Sequence, residues 1–354
     1  MPRFIPLAVA AATIMASPLA SQPAKPPAEQ AAQDPFNAAE ARSTVEMLAK
    51  ALEENFVFED KAKAYAAMLR TKLASGAYDS FPNARTFAEQ VTADLQSVHK
   101  DAHLRLHVIP PQDRNNRTDE SPISLPPTSA VTKSGWLAPG VAYISFGMFP
   151  GNEATLTELR TFLDSHKDAK SLIIDARGHR GGGLDEMDMI FAEIFSEPVE
   201  LLTLDTRRAA EERGEDQPSL KIVTTSEDVV RRIHSALPDS TPTALRKADI
   251  YYLTSKRSAS AAEHMALALK RTHRATVIGE TTRGAGHYGA MVPVRGIYAA
   301  FIPVGRTYDP QTGEGWEAVG VRPDIEIAAD KALDEALRRS GVSGSGEAAL
   351  AAIR

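Results

Sequence analysis

The chain contains no cysteine. That excludes disulfides, a thiol nucleophile, a thiolate metal site and a lipid anchor attached at a cleavage-site cysteine. Basic residues are also in short supply: 40 Lys and Arg face 46 Asp and Glu, a formal net charge of −6. The basic footprint of a nucleic-acid binder is therefore missing, and no nucleic-acid partner is expected. No apolar run approaches the roughly 20 residues that a membrane-spanning helix requires. The longest, from Phe4 to about Met15, follows Arg3 and ends in Ser17-Pro18-Leu19-Ala20. A short apolar run with a small-residue ending reads as a secretory signal over residues 1–20. Export to a bacterial periplasm or the medium is the expectation, with no membrane span after cleavage.

At 354 residues, 43% hydrophobic and 24% charged, the chain has material for one large core or two smaller ones. Residues 21–38, rich in Ala, Pro and Gln, read as a disordered lead-in. Residues 39–108 form an expected N-terminal helical domain, with Val45, Leu48, Leu52 and Phe56 at three- and four-residue steps. Further helices are expected over 62–73 and 87–98, then a strand over 103–108. Residues 109–135, Pro-, Asn- and Ser-rich, read as a linker. From 136 to 330 strand and helix patterns alternate, which predicts an α/β domain with a largely parallel core. Residues 292–294 and 298–303 predict a closing hairpin, and 331–354 a C-terminal helical segment.

Three features carry possible chemistry. The first is Ser258-Ala259-Ser260-Ala261-Ala262-Glu263, between a strand-like run at 250–254 and an apolar-periodic helix. A small-residue turn there exposes a hydroxyl while helix-start N–H groups point toward what it attacks, which makes Ser260 a candidate nucleophile. Ser260 and Glu263 equally have the S-x-x-E spacing of a helix capping box, which implies no chemistry. The second feature is the Gly181-Gly182-Gly183 run after the buried strand ending at Asp175. That stretch contains neither phosphate-binding glycine pattern, so its readings are an oxyanion hole or simply a tight turn. The third is the histidines. His99, His103 and His107 recur every four residues, but Lys100 stands where H-E-x-x-H needs glutamate. One of them as general base is more economical than a zinc site, and no metal or other cofactor is expected.

Together these pieces resemble the C-terminal processing (tail-specific) serine proteases, in the branch of interphotoreceptor retinoid-binding protein modules and the tricorn protease core. Four segments carry the resemblance in order: 56–104 including Asp101-Ala102-His103, 172–183, 254–282, and 316–324 with Trp316-Glu317 and Pro323-Asp324. It implies an α/β fold with a crotonase-like ββα core and an N-terminal helical domain. It also implies Ser260 as nucleophile, His103 as base, Glu317 as the associated carboxylate, and oxyanion donors from Ala261 and from Gly181 or Gly182. His287 is the alternative base. Ala285 stands where the Ser–Lys branch carries its lysine, and no PDZ insertion is recognisable. The implied activity is serine endopeptidase action on unfolded or tail-exposed polypeptide. The alternative is a carrier of hydrophobic ligands on the same fold, since architecture alone does not set activity.

Overall fold

The computed structural model describes residues 34–114, 128–211 and 217–353. The expected leader, the lead-in up to 33 and residues 115–127 of the expected linker lie outside the described residues. Three helices come first: α1 (Ala38–Asn55), α2 (Glu59–Ala74) and α3 (Ala84–Val98). Each begins close to where the apolar period starts. Asn37 caps α1 by accepting from the Glu40 N–H at 3.1 Å, and Asn83 with Thr86 forms a capping box on α3. Residues 34–37, assigned to the lead-in, are held in place. Phe36 packs on Phe81 and Phe87, and Asp34 pairs with Arg114 at 2.6 Å.

Strand β1 (Arg105–Val108) and a short turn of helix, α4 (Pro111–Arg114), follow. Then come β2 (Val131–Ala138), β3 (Val141–Phe146), α5 (Glu153–Ser165), β4 (Ser171–Asp175) and α6 (Asp185–Ile194). Next are β5 (Val199–Arg207), β6 (Leu220–Thr225), β7 (Val229–Ala236) and β8 (Asp249–Thr254). The chain continues with α7 (Ala261–Arg271), β9 (Thr276–Gly279), β10 (His287–Arg295), β11 (Tyr298–Tyr308) and β12 (Ile325–Glu326). Helices α8 (Ala332–Arg339) and α9 (Gly346–Ala352) close it.

Among the described residues the strands make two sheets of six. One, in the order β12-β9-β8-β4-β3-β2, is parallel except for the β2–β3 pair. Its central strands are buried on both faces, by α5, α6 and α7 on one side and α8 on the other. The other sheet, β1-β11-β5-β7-β6 with β10 also on β11, is antiparallel throughout. The 292–303 hairpin falls within β10–β11 as read from the sequence.

Three features differ from the sequence reading. Strand β2 occupies the end of the expected linker, and β5 to β7 fill a span in which the sequence pattern predicts no element. Only part of β5 to β7 is sealed from solvent, and Arg231, Arg232, Lys221 and the Thr pair interrupt the apolar signal. The N-terminal helices also do not close a bundle on themselves. Leu48, Leu52, Tyr65 and Phe87 share one core with Leu106, Tyr298, Ala300 and Ile302 of the antiparallel sheet. Helix α1 therefore tests that joint. Leu52→Ala should cost about 2–5 kcal/mol, read as a lower urea midpoint at unchanged slope; an unchanged midpoint would contradict the shared core.

Candidate active site

Strand β8 ends at the centre of the parallel sheet, where the chain must turn to start α7. Ser260 makes that turn with φ +57° and ψ −117°, left-handed backbone for a residue bearing a Cβ. Such a conformation costs about 1–3 kcal/mol and persists only where the surroundings over-determine it. Here they do. The Glu263 carboxylate accepts from the Ser260 N–H at 2.8 Å, as a capping box would place it. It also accepts from the Thr282 hydroxyl at 2.6 Å and from the N–H groups of Gly284 and Ala285 at 2.6 and 2.9 Å. Burial pushes the Glu263 carboxyl above its usual value, and the four donors oppose that.

The glycine loop after β4 is laced to the same turn. Ser258 Oγ donates to the Ala176 carbonyl at 2.7 Å, Ser255 Oγ to Arg177 at 2.6 Å, and the Ala259 N–H to His179 at 3.1 Å. Gly181 (φ +114°) is pressed against Ser260, so a Cβ there would sit 2.7 Å from the serine Cβ. At Gly182 (φ +132°) a Cβ would fall 1.9 Å from the Phe149 carbonyl oxygen. The two glycines are not equivalent as donors. The Gly181 N–H donates to His179 Nδ1 at 3.0 Å. Among the described residues no acceptor takes the N–H of Gly182 or Ala261.

Both of those residues and Ser260 line one cavity of about 460 Å³, with His287, His264, Leu204, Leu220 and Trp316 among its walls. His287, the first residue of β10, is buried, and its Nδ1 lies 2.7 Å from Asp101 Oδ2. Asp101 also accepts from the N–H groups of His103 and Leu104, both at 2.9 Å. Burial alone would raise the Asp101 carboxyl, but the His287 ring and the two amides outweigh it and hold the value below the usual carboxylate range. Glu317 lies 3.9 Å from His287 Nδ1. Its oxygens accept instead from the N–H groups of Ala102 at 2.8 Å, Gly286 at 2.6 Å and His287 at 3.0 Å. Glu317 thus fastens the 101–104 turn to the start of β10.

His103 is placed differently. Its ring stacks on Phe301, with centroids 4.9 Å apart, and its Nδ1 is sealed in without a partner. Burial, with help from His287 and Arg283 and against Asp101, holds it below the usual histidine value. It is not among the residues lining the Ser260 cavity. His99, His103 and His107 are not brought together. Among the described residues the one group with metal-ligand types in reach is Asp101, His287 and Glu317. Each of its carboxylate oxygens already takes an N–H, so hydrogen bonding accounts for the cluster without a cation. The run Gly284-Ala285-Gly286-His287-Tyr288-Gly289 has G-x-G-x-x-G spacing, but it enters a strand, not a helix, which removes the dinucleotide reading. Sequence spacing does not mark Asp101 as a functional residue, although it belongs to the Asp-Ala-His motif, because its ring partner is 186 residues away.

A model of peptidase family S41 matches residues 140–327, and a model of the N-terminal domain of that family in eukaryotic IRBP matches residues 37–135. The chain belongs to peptidase family S41. At that level it is a serine-type peptidase, a hydrolase whose substrates are polypeptides. Among solved structures it is similar to a candidate peptidase from Parabacteroides merdae ATCC 43184, at 17% identity and TM-score 0.53, covering 89% of this chain and 96% of that one. It is also similar to a lipoprotein from Streptococcus agalactiae, at 13% identity and TM-score 0.55, covering 87% and 99%. Both likenesses concern the fold. Among the described residues no helix is long and apolar enough to cross a membrane.

Two outcomes test the site's construction. Glu263→Gln turns an acceptor of four donors into a group that itself donates, and should cost about 1–3 kcal/mol with a matching loss of activity; full stability would remove Glu263 from its role. The second concerns acid. Burial holds His179 neutral and lowers its pKa from 6.5 to about 3. The unfolded chain then binds a proton that the folded one does not between those values, so this contribution is complete above about pH 6.5 and is lost as pH falls. His179→Gln keeps an acceptor for Gly181 but cannot titrate. Thermal midpoints between pH 7 and 4 should fall less steeply in this variant than in wild type, and equal slopes would refute the assignment.

Proposed function

We propose that this chain is an exported serine endopeptidase that cleaves unfolded or tail-exposed polypeptides. One observation carries the reading: Ser260, on a strained strand-to-helix turn, opens onto the same cavity as His287, whose Nδ1 is held by Asp101. A serine hydroxyl needs a base, and an imidazole oriented by a carboxylate is suited to take its proton and then protonate the leaving amine. The N–H groups of Ala261 and Gly182, left without acceptors at the cavity wall, are the pair available for the oxyanion. Gly181 contributes by letting Ser260 approach, its own N–H being engaged with His179. Glu317 acts as a positioning residue for the His287 segment.

His287 is therefore ranked first as base. His103, the choice implied by the resemblance, is the alternative. It adjoins Asp101 through its own N–H, and a ring rotation would be needed to free its sealed nitrogen. Export rests on the N-terminal apolar run, and cell fractionation with mass measurement of the mature N-terminus tests it. A second reading, a hydrophobic-ligand carrier, draws support from the apolar walls of the cavity, Leu204, Leu220 and Trp316 among them.

The deciding experiment is cleavage of a mixed library of unstructured peptides, followed by mass spectrometry, for wild type, Ser260→Ala, His287→Ala and His103→Ala. The expected result is that Ser260→Ala and His287→Ala each lose at least about 10³-fold in kcat/KM, with His103→Ala far less affected. Loss in His103→Ala alone of the two would transfer the base to that residue. Products that persist in Ser260→Ala would overturn the nucleophile, and no cleavage by wild type would favour the carrier.

A further inference from the structure

One wall of the Ser260 cavity is built from groups that the hydrolytic chemistry leaves unused. His264, one turn along α7 from Ser260, lines the cavity and is only 4% exposed. Its Nε2 lies 2.8 Å from Nδ1 of His234 on β7. His234, fully buried, places its Nε2 2.7 Å from an oxygen of Asp188 on α6, and the other Asp188 oxygen accepts from the Ser219 hydroxyl at 2.6 Å. With both rings neutral, this chain has one direction. The carboxylate takes the His234 Nε2–H, so His234 Nδ1 keeps a lone pair and takes the His264 Nε2–H. His264 Nδ1 is then an acceptor by elimination. It has no hydrogen bond among the described residues, and unlike His103 Nδ1 it is not sealed from solvent.

The surroundings keep that nitrogen uncharged and fixed. Burial, reinforced by His234, holds His264 well below the usual histidine value. Its ring meets Trp316 edge-on, with centroids 6.2 Å apart, and Leu204 and Leu220 line the same wall. The charged groups lining the cavity are Asp185 and the Glu211–Arg232 ion pair. Beside the apolar Leu204, Leu220 and Trp316, His264 Nδ1 is a neutral acceptor of fixed direction, and a wall of that kind in a cavity of about 460 Å³ suits an aromatic side chain with a donor at its tip.

We propose that His264 is a specificity-determining residue: backed by His234 and Asp188, it presents a fixed acceptor that selects tyrosine over phenylalanine in the substrate position beside the cleaved bond. The proposal rests on the peptidase reading above. Phenylalanine would fill the same recess but leave the imidazole nitrogen desolvated and unpaired, and sites built to bind a hydroxyl discriminate strongly against its absence.

The test uses paired unstructured peptides, cut by the full-length mature enzyme, that differ only in Tyr or Phe at the mapped cleavage position. Wild type should favour the Tyr peptide by about 10- to 100-fold in kcat/KM, and His264→Leu should bring the ratio close to one. Should His264→Leu fail to fold, Asp188→Asn serves in its place. Asparagine can present either polarity to His234, so it releases the tautomer lock from outside the cavity and should lower the same ratio. Imidazole nitrogen shifts supply a readout independent of activity, with His264 Nδ1 expected unprotonated at pH 7.5 in wild type. Cleavage of both peptides at equal rates, or a protonated Nδ1, would overturn this inference while leaving the peptidase reading intact. Absence of any cleavage would overturn the peptidase reading itself.

Discussion

The buried Glu263 carboxylate is the constraint on which the site depends. A carboxylate at no measurable exposure is tolerable only when its lone pairs are filled, and four donors fill them. Those donors come from the Ser260 turn and from the 282–285 segment, so one side chain holds two loops in register. The tie continues outward: Thr282 Oγ1 accepts from the Val321 N–H at 2.7 Å, and the Gly284 carbonyl accepts from the Ala318 N–H at 2.8 Å. The positive φ of Ser260 is thereby imposed from outside. A capping box and a nucleophile turn are usually competing explanations of S-x-x-E. In this protein the capping carboxylate is part of what keeps the serine in its strained conformation.

A second convergence joins the two sheets and the helical domain. Asp101 follows α3, His287 starts β10, and Glu317 lies in the turn-rich segment before β12. Each carboxylate takes more than one N–H: Asp101 organises its own turn and the His287 ring, and Glu317 bridges that turn to β10. Because the N-terminal helices share a core with β1 and β11, the Asp101 turn is packed onto the same sheet as the imidazole it orients. The helical domain is thus a structural part of the candidate site.

The polar chain from Ser219 through Asp188 and His234 to His264 crosses from α6 to β7 to α7 under the cavity. A buried polar chain is tolerated when its members are paired, and here each is paired down to His264, which lines the cavity. The direction in which His264 Nδ1 accepts within the cavity follows from this chain and not from any single residue.

Local patterning determined much of this protein. The helices at 38–55, 59–74 and 84–98, the strand–turn–helix at 249–271 and the hairpin at 287–308 follow from apolar period and turn chemistry, which act over a few residues. The serine turn and the glycine loop facing it were legible for the same reason. Strands β5 to β7 were not, because β6 is mostly exposed, β7 is only partly buried, and polar and charged residues paired across the sheet, such as Arg231 with Asp205 at 2.7 Å, break the apolar pattern. Nor could the pairing of Asp101 with His287, 186 residues apart, or of Glu317 with Ala102, 215 apart, be read from spacing. Side-chain partners at that separation are set by strand pairing and by how the helices and sheets pack, so the residue types were present in the sequence, while the choice of which carboxylate meets which imidazole was made only by the tertiary structure.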